Sequence, residues 1–227
     1  RAEWPSFRAA MLYDDEVNIP PKRAIELCEA LAAHSVRWIL RGFIKAELFT
    51  EEVASAMAKA GFAEVLTGVE SGSDRILKLI KKNTSFKINM EARQRAKRHG
   101  IAFKASTMIG LPTEALEDVL ETKRWLLEAK PDSFDVTIFQ PMLGSPIADR
   151  PEKEGRGLFF DGPTMLPYKT VPGAYEARTR TETLSADDLV RLRDEIDRDV
   201  RQALGLPSLT RSEIYDASMG QRPVLSG

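Results

Sequence analysis

The chain has 227 residues, 43% of them hydrophobic and 30% charged, so it can bury the core of one large domain or of one and a half small ones. Its 33 Lys and Arg residues balance 34 Asp and Glu residues, which argues against a broad electrostatic surface for nucleic acid or an anionic membrane. The single cysteine, Cys28, excludes a disulfide framework and any all-cysteine metal site built from this chain alone.

Short apolar runs alternate with amphipathic stretches over the first 140 residues. The apolar runs predict five strands, over 9–13, 38–43, 64–69, 101–109 and 135–139. The amphipathic stretches predict helices over 21–33, 51–61, 73–81, 86–99 and 114–129. Helix-start and helix-stop residues support these bounds: Thr50 before two glutamates is typical of an N-cap, and Gly61 and Gly100 are typical stops.

The alternation of strands and helices predicts an α/β fold whose strands pair in parallel with right-handed crossovers. The strands read as apolar on both faces, as in a buried parallel sheet. A barrel and a doubly wound sheet both fit this order, but the chain has no glycine-rich phosphate turn. Polar residues follow four strands, at 14–16, 41–45, 70–73 and 110–112, and in barrels that face carries the active site.

After Pro141 the character of the chain changes. Residues 144–173 read as long loops, with short strands at 158–160 and 165–166, and a further strand is expected around 175–183. Ser185 is the predicted N-cap of a last helix that ends at Leu204. Alternating charges predict that this helix has a solvated face and one apolar stripe, formed by Leu189, Leu192, Ile196 and Val200.

Five strings along the chain resemble, in the right order, segments of radical S-adenosylmethionine (SAM) enzymes. They are Tyr13-Asp14-Asp15-Glu16; Arg41 with Leu48, Glu51, Met57 and Gly61; Gly68 to Ser73 with Arg75, Lys82 and Thr84; Met108 to Pro112 with Glu114, Glu117 and Thr122; and Pro141 to Pro146. The resemblance spans about two thirds of the chain. It is strongest to the branch that often carries an N-terminal cobalamin-binding domain.

The resemblance implies a partial (β/α)6 TIM-like barrel over residues 1–149 and a C-terminal α+β extension over 150–227. The family's C-x-x-x-C-x-x-C string is absent from the chain, and Cys28 alone cannot ligate an iron–sulfur cluster. Because the chain begins at Arg1 rather than Met, we expect the first strand and the cluster loop to lie upstream. A second departure from the family is at position 113, where this chain has a threonine and the family usually has a glycine.

The resemblance also implies the cofactors and the reaction. They are SAM, a 4Fe-4S cluster with ligands upstream of this chain and none within it, and cobalamin from a preceding domain. In this family the cluster cleaves SAM to a 5′-deoxyadenosyl radical that abstracts hydrogen from substrate. Methyl transfer or a radical rearrangement on a small molecule would follow, with a reductant such as flavodoxin or ferredoxin, and without nucleic acid or membrane.

The resemblance assigns the amino-acid end of SAM to two segments. Asp14, Asp15 and Glu16 stand where the family accepts hydrogen bonds from the amine, and an ionised carboxylate strengthens such a bond. Arg41 stands where a guanidinium can bind the carboxylate, with Lys45 either an alternative or a surface lysine. The alternative for Asp14, Asp15 and Glu16 is a purely structural one, in which they form a loop before a helix, where acidic residues are common.

Two further segments are assigned to the nucleoside end. Glu70 with Ser71 would reach the ribose hydroxyls or the amine end, unless Glu70 only bonds a neighbouring strand. Ile109, Gly110 and Leu111 would offer backbone groups and an apolar wall to adenine, unless Gly110 is only a turn glycine.

Two functions from other classes stay open on the sequence alone. The chain fits a barrel without a cluster that serves as a SAM-binding or scaffold module. It also fits a conventional lyase or isomerase barrel in which Asp15, Glu70, Arg41 and Lys45 perform acid–base work. The apolar runs are too short to span a bilayer and the start does not resemble a secretion signal, so we expect a cytoplasmic protein.

Overall fold

A computed structural model describes residues 9–162 and 173–208. The strands are β1 (Ala9–Leu12), β2 (Ile39–Phe43), β3 (Phe62–Glu70), β4 (Ala102–Ile109), β5 (Ser133–Ile138), β6 (Leu158–Phe160) and β7 (Thr179–Thr181). The helices are α1 (Pro21–Ala33), α2 (Glu51–Ala60), α3 (Asp74–Leu79), α4 (Phe86–Arg98), α5 (Leu116–Ala129), α6 (Pro146–Asp149), α7 (Pro151–Glu154) and α8 (Ala186–Leu204). The predicted short strand over 165–166 lies outside the described residues.

The first five strands form one sheet in the order β1-β2-β3-β4-β5, with β1 to β4 paired in parallel. This sheet follows chain order and does not close on itself within the described residues, as in a partial barrel. Strands β6 and β7 pair antiparallel in a second, small sheet, and α8 follows them. The predicted α/β class, with a partial barrel and an α+β extension, is therefore confirmed.

The two faces of the sheet differ in burial, which the prediction of strands apolar on both sides did not foresee. On β4, Phe103 and Ala105 are fully buried, whereas Lys104 and Ser106 on the other face are half-buried. The register places Gly42 and Val65 beside Phe103, and Phe43 and Leu66 beside Lys104. The prediction is wrong for β4 because its polar residues alternate with apolar ones, so that only one face of the strand is fully buried.

Helix ends follow local chemistry closely. Thr50 accepts a hydrogen bond from the Val53 amide at 3.3 Å and begins α2, and Ser185 forms a capping box with Asp188 at the start of α8. Gly61 ends α2 in the left-handed region, as predicted from its position. Within the described residues, no helix is both long enough and apolar enough to cross a membrane.

The described chain forms two compact units. The first contains the described residues up to Thr107 together with Arg124–Phe134, and its core includes Phe49, Met57, Ile76, Phe103 and Trp125. The second contains Met108–Lys123 and the described residues from Asp135 onward. The boundary predicted between residues 149 and 150 stays a prediction about domain organisation.

Helix α8 carries a buried ionic network in the second unit. Its predicted apolar stripe is buried, which confirms that prediction. Arg193, Asp197 and Arg201 are also buried, at 2%, 1% and 8% exposure, so the expectation of a wholly solvated charged face is wrong there. These charges are tolerated because they neutralise one another and because Arg193 Nε donates to the Val136 carbonyl at 2.9 Å.

Candidate functional site

The acidic segment Asp14–Glu16 follows β1, at the carboxyl end of the sheet. Asp14 is exposed and lies 4.0 Å from the Arg23 guanidinium on α1. Glu16 is more buried and forms an ion pair with Lys45, with 3.5 Å between Oε2 and Nζ. The structure thus brings one member of the segment to the loop that follows β2, whereas Asp15 is exposed.

Arg41 lies in the middle of β2 rather than after its end. It pairs in register with Met11 on β1 and Glu64 on β3. The Arg41 Nε atom lies 3.6 Å from Glu64 Oε2, so the strand-to-strand register aligns two opposite charges on one face of the sheet. The guanidinium is therefore partly neutralised within the sheet itself.

Glu70 ends β3 in an unusual conformation. Its φ of 62° lies in the left-handed region, and the β3–β4 register shifts between Gly68 and Glu70. The Glu70 Oε1 atom accepts a hydrogen bond from Lys82 Nζ at 3.0 Å. A Cβ at Gly68 would collide with this carboxylate and come within 3.1 Å of the ammonium, so the pair packs directly over a glycine.

Ser71 is buried and shapes the turn that follows β3. Its Oγ accepts a hydrogen bond from the Ser73 amide at 3.1 Å, and its own amide donates to the Val69 carbonyl. Ser73 in turn caps α3 by accepting from the Ile76 amide. Ser71 therefore supports the backbone beside Glu70.

The segment Ile109–Leu111 lies in the second unit and is buried. The Gly110 and Leu111 amides both donate to Glu114 Oε2, at 2.5 and 3.2 Å. A Cβ at Gly110 would lie 3.0 Å from Leu189 Cδ1, so α8 occupies the space that the glycine provides. The Ile109 and Leu111 carbonyls accept from the Phe139 and Glu114 amides, so most of the backbone polar groups predicted to face adenine are bonded within the protein.

Thr113, where the family usually has a glycine, adopts a φ of 60°. This left-handed conformation favours glycine, and the threonine is held there by a hydrogen bond from its amide to the Gly157 carbonyl at 3.3 Å. The turn after β4 thus keeps a glycine-like backbone with a different side chain.

The described residues do not group three His, Cys, Asp or Glu side chains in a way that could hold a metal ion. Cys28 lies in α1 at 1% exposure. Burial, reinforced by the nearby Glu29 charge, raises the pKa of its thiol to about 11. Cys28 is therefore a buried, protonated thiol, unlike a metal ligand.

The sequence did not indicate the contacts of three polar residues that hold these segments. Lys82 binds Glu70 from twelve positions away, and Asn18 binds the Lys45 backbone from twenty-seven positions away. Glu114 fills the turn after β4. Only Glu114 left a local signal, because a glutamate three or four positions after a glycine turn can reach back to its amides.

Comparison with known proteins gives the family context. The family model described as the radical SAM superfamily matches residues 2–126, just over half of the chain. An uncharacterized methyltransferase of Pyrococcus horikoshii is 30% identical over 132 residues, covering 58% of this chain and 29% of that protein. The anaerobic magnesium-protoporphyrin IX monomethyl ester cyclase of Rubrivivax gelatinosus is 29% identical over 133 residues, covering 58% of this chain and 24% of the cyclase. The chain thus spans about a quarter of the length of these curated relatives.

A solved structure is similar in fold. The radical SAM methyltransferase TsrM of Kitasatospora setae, with cobalamin and a 4Fe-4S cluster bound, superposes with a TM-score of 0.58 at 20% identity. The superposition covers 68% of this chain and 34% of TsrM. At this identity the similarity concerns the fold.

Proposed function

The chain belongs to the radical SAM superfamily, and from this membership we propose that the full-length protein is an enzyme that binds SAM at the carboxyl ends of its parallel strands. Members of the superfamily use SAM and a 4Fe-4S cluster. The proposed reaction is reductive cleavage of SAM to a 5′-deoxyadenosyl radical or transfer of a methyl group through cobalamin, on a small molecule.

One observation carries this proposal: a strained Glu70 whose carboxylate is held by Lys82 at the end of β3. Non-glycine residues in the left-handed region cluster at ligand sites, where the surroundings maintain the strain. Glu70 keeps 19% of its side chain exposed beside Lys82. Its carboxylate can therefore accept hydrogen bonds from ribose hydroxyls while its charge is balanced, and Ser71 supports the same turn.

The amino-acid end of SAM carries an ammonium and a carboxylate, and the loops after β1 and β2 carry matching charges. Glu16 is suited to the ammonium and Lys45 to the carboxylate, since they already form a half-buried pair. Asp14 and Asp15 lie on the same segment and add negative charge. Arg41 is a second candidate for binding the SAM carboxylate. Its guanidinium would then contact both that carboxylate and Glu64.

For the adenine we propose the wall formed by Ile109, Gly110 and Leu111. All three are buried, and the apolar side chains of Ile109 and Leu111 suit a flat ring. Because Glu114 already accepts from two of the amides, we propose that it shapes this wall rather than contacts the ligand.

The residues of this chain do not fit a 4Fe-4S cluster. Such a cluster is held by cysteine thiolates, and Cys28 is a single buried thiol within a helix. We propose that the thiolates come from residues outside this sequence. The cluster supplies the electron that cleaves SAM in this superfamily, whereas this chain supplies groups that bind and orient SAM.

Two features of the relatives bear on the reaction. One matched relative is named a methyltransferase, and TsrM carries cobalamin in its solved structure. They support methyl transfer with cobalamin as second cofactor, while hydrogen abstraction followed by rearrangement remains the other reaction we propose. A reductant such as flavodoxin or ferredoxin would supply the electron for either reaction.

We also propose a cytoplasmic location, which the low cysteine content suits.

Replacing Glu70 tests the proposal. In the full-length protein carrying its cluster, Glu70→Ala should weaken SAM binding by roughly 10- to 100-fold, because hydrogen bonds to charged groups contribute about 1.5–3 kcal/mol. The matched control is Glu91→Ala, which removes an exposed glutamate paired with Lys87 on α4 and should leave the affinity unchanged. Equilibrium dialysis with labelled SAM gives the values. Equal affinity of Glu70→Ala and wild type, or no SAM binding by wild type, would refute the proposal.

A further inference from the structure

Asn18 is a fully buried polar residue in the loop that follows β1. A buried amide is costly unless its donor and acceptor are both bonded. Asn18 Oδ1 accepts from the Lys45 amide and Asn18 Nδ2 donates to the Lys45 carbonyl, each at 2.9 Å. The side chain thus bonds both backbone groups of one residue in the next loop, as a neighbouring strand would.

The orientation of this amide follows from chemistry. The reverse orientation would set oxygen against the Lys45 carbonyl oxygen and N–H against the Lys45 N–H, so only one orientation of the Asn18 side chain forms both bonds. Next to this contact, the Val17 amide donates to the Phe43 carbonyl at 2.8 Å. Two successive contacts therefore join the loop after β1 to the last residue of β2 and to the loop that follows it.

These contacts fix the relation between two charged side chains. Glu16 lies immediately before the bonded pair Val17 and Asn18, and Lys45 is the residue whose backbone Asn18 holds. Their side chains meet at 3.5 Å, with 25% and 33% of their surfaces exposed. Because the backbones are held and the side chains already form an ion pair, the two side chains lose less freedom when a ligand binds, which lowers the entropic cost of binding.

We infer that Asn18 is a positioning residue for SAM: by holding the Lys45 backbone, it keeps the Glu16 carboxylate and the Lys45 ammonium in place for the amino-acid end of the ligand. This inference rests on the proposed function, because it takes the loops after β1 and β2 to be part of the SAM site. Asn18 itself is buried beneath these groups and acts through them.

The test is a double-mutant cycle on SAM affinity in the full-length protein carrying its cluster. Asn18→Ala removes both bonds to Lys45 and should weaken SAM binding about tenfold, within the range of coupling energies between residues of one network. In a Glu16→Gln background the same change should weaken SAM binding by clearly less than tenfold, because one of the two groups that Asn18 positions is already disabled. A residue that only stabilises the fold would show no such dependence on Glu16.

Asn89 supplies the matched control. It is equally buried, on α4, and accepts a hydrogen bond from Thr84 Oγ1 at 2.9 Å. Asn89→Ala should lower the thermal midpoint of unfolding and leave SAM affinity unchanged. If Asn18→Ala does not fold, Asn18→Leu replaces it in the cycle, since it has nearly the same size, adds no charge and loses both bonds to Lys45.

The outcomes separate the two hypotheses. Wild-type protein that fails to bind SAM overturns the proposed function and this inference with it. Wild-type protein that binds SAM while both Asn18 variants bind equally well overturns the positioning role alone. An equal loss of affinity with and without Glu16→Gln would also overturn it, because Asn18 would then not act through Glu16.

Discussion

Arg193 is the largest charged side chain in the buried interior of the second unit, and its partners explain why it is stable there. Its guanidinium contacts Asp194 at 2.8 Å and Asp197 at 3.3 Å. It also stacks on Tyr175, with 4.0 Å from Cζ to the ring centroid. The Val136 carbonyl accepts its remaining Nε–H, so α8 is tied to β5 by a neutralised network.

Removing this guanidinium should therefore be costly. Arg193→Met keeps much of the volume but leaves Asp197 buried without its partner on that side, and we expect a loss of about 3–5 kcal/mol in the free energy of unfolding. Arg198→Met is the matched control on the same helix, since Arg198 is exposed and pairs with Asp199, and should cost at most about 1 kcal/mol. Urea unfolding of both variants measures the difference, and similar losses for the two would contradict this account.

Residue-scale contacts were also the hardest to predict from sequence. The strings around Glu70 and Asp14–Glu16 indicated candidate ligand groups. The partners of these groups could not be predicted. Four basic residues lie near Glu70 in sequence, namely Arg75, Lys78, Lys81 and Lys82, and only the folded structure shows that Lys82 binds it. Asn18 gave no signal at all, since its partner lies in a loop that only strand pairing brings close.

At the scale of elements, local chemistry determined where helices begin and end. Thr50 and Ser185 were predicted as N-caps and both accept the expected amide, because this interaction needs only residues a few positions apart. Burial on the strands was less predictable. Lys104 and Ser106 alternate with buried residues on β4, so the prediction of a strand that is apolar on both faces is wrong there.

Gly61 shows how an element end depends on its neighbours. Its φ of 97° requires a left-handed backbone, and a Cβ there would collide with the Trp38 carbonyl. Gly100, after α4, has a φ of 68° but open space around the same position. Both glycines follow a helix. Comparing alanine substitutions at the two positions therefore separates the cost of a left-handed backbone from the cost of a steric collision.

We expect Gly100→Ala to lower the free energy of unfolding by about 1 kcal/mol, the cost of a left-handed non-glycine residue. Gly61→Ala should cost clearly more, since the collision with Trp38 adds to the same conformational term. Urea unfolding of the two variants and the wild type gives the comparison. Equal destabilisation would show that the contact with Trp38 can relax without cost.

At the scale of the whole molecule, the order of strands and helices was predictable and the compact units were not. Five alternating strands and helices fixed the α/β class and the parallel sheet, because parallel strands need crossovers. One compact unit joins Met108–Lys123 with the described residues from Asp135 onward. Sequence composition could not indicate this, since no linker-like stretch marks either boundary.

The family membership, the strained Glu70 beside Lys82 and the charged pair Glu16–Lys45 together support the proposal of a SAM enzyme. Because the chain spans about a quarter of its curated relatives, the measurement belongs on the full-length protein. The protein must carry its cluster, so that the chemistry and the SAM-binding groups are tested together.

The most direct measurement is mass-spectrometric detection of SAM products after the cluster-loaded protein is incubated with SAM and a strong reductant. We predict that wild-type protein forms 5′-deoxyadenosine, from reductive cleavage, or S-adenosylhomocysteine, from methyl transfer, and that Glu70→Ala loses most of that product. Absence of both products from wild-type protein with its cluster intact would contradict the proposed enzyme function, and undiminished product from Glu70→Ala would contradict the proposed SAM site.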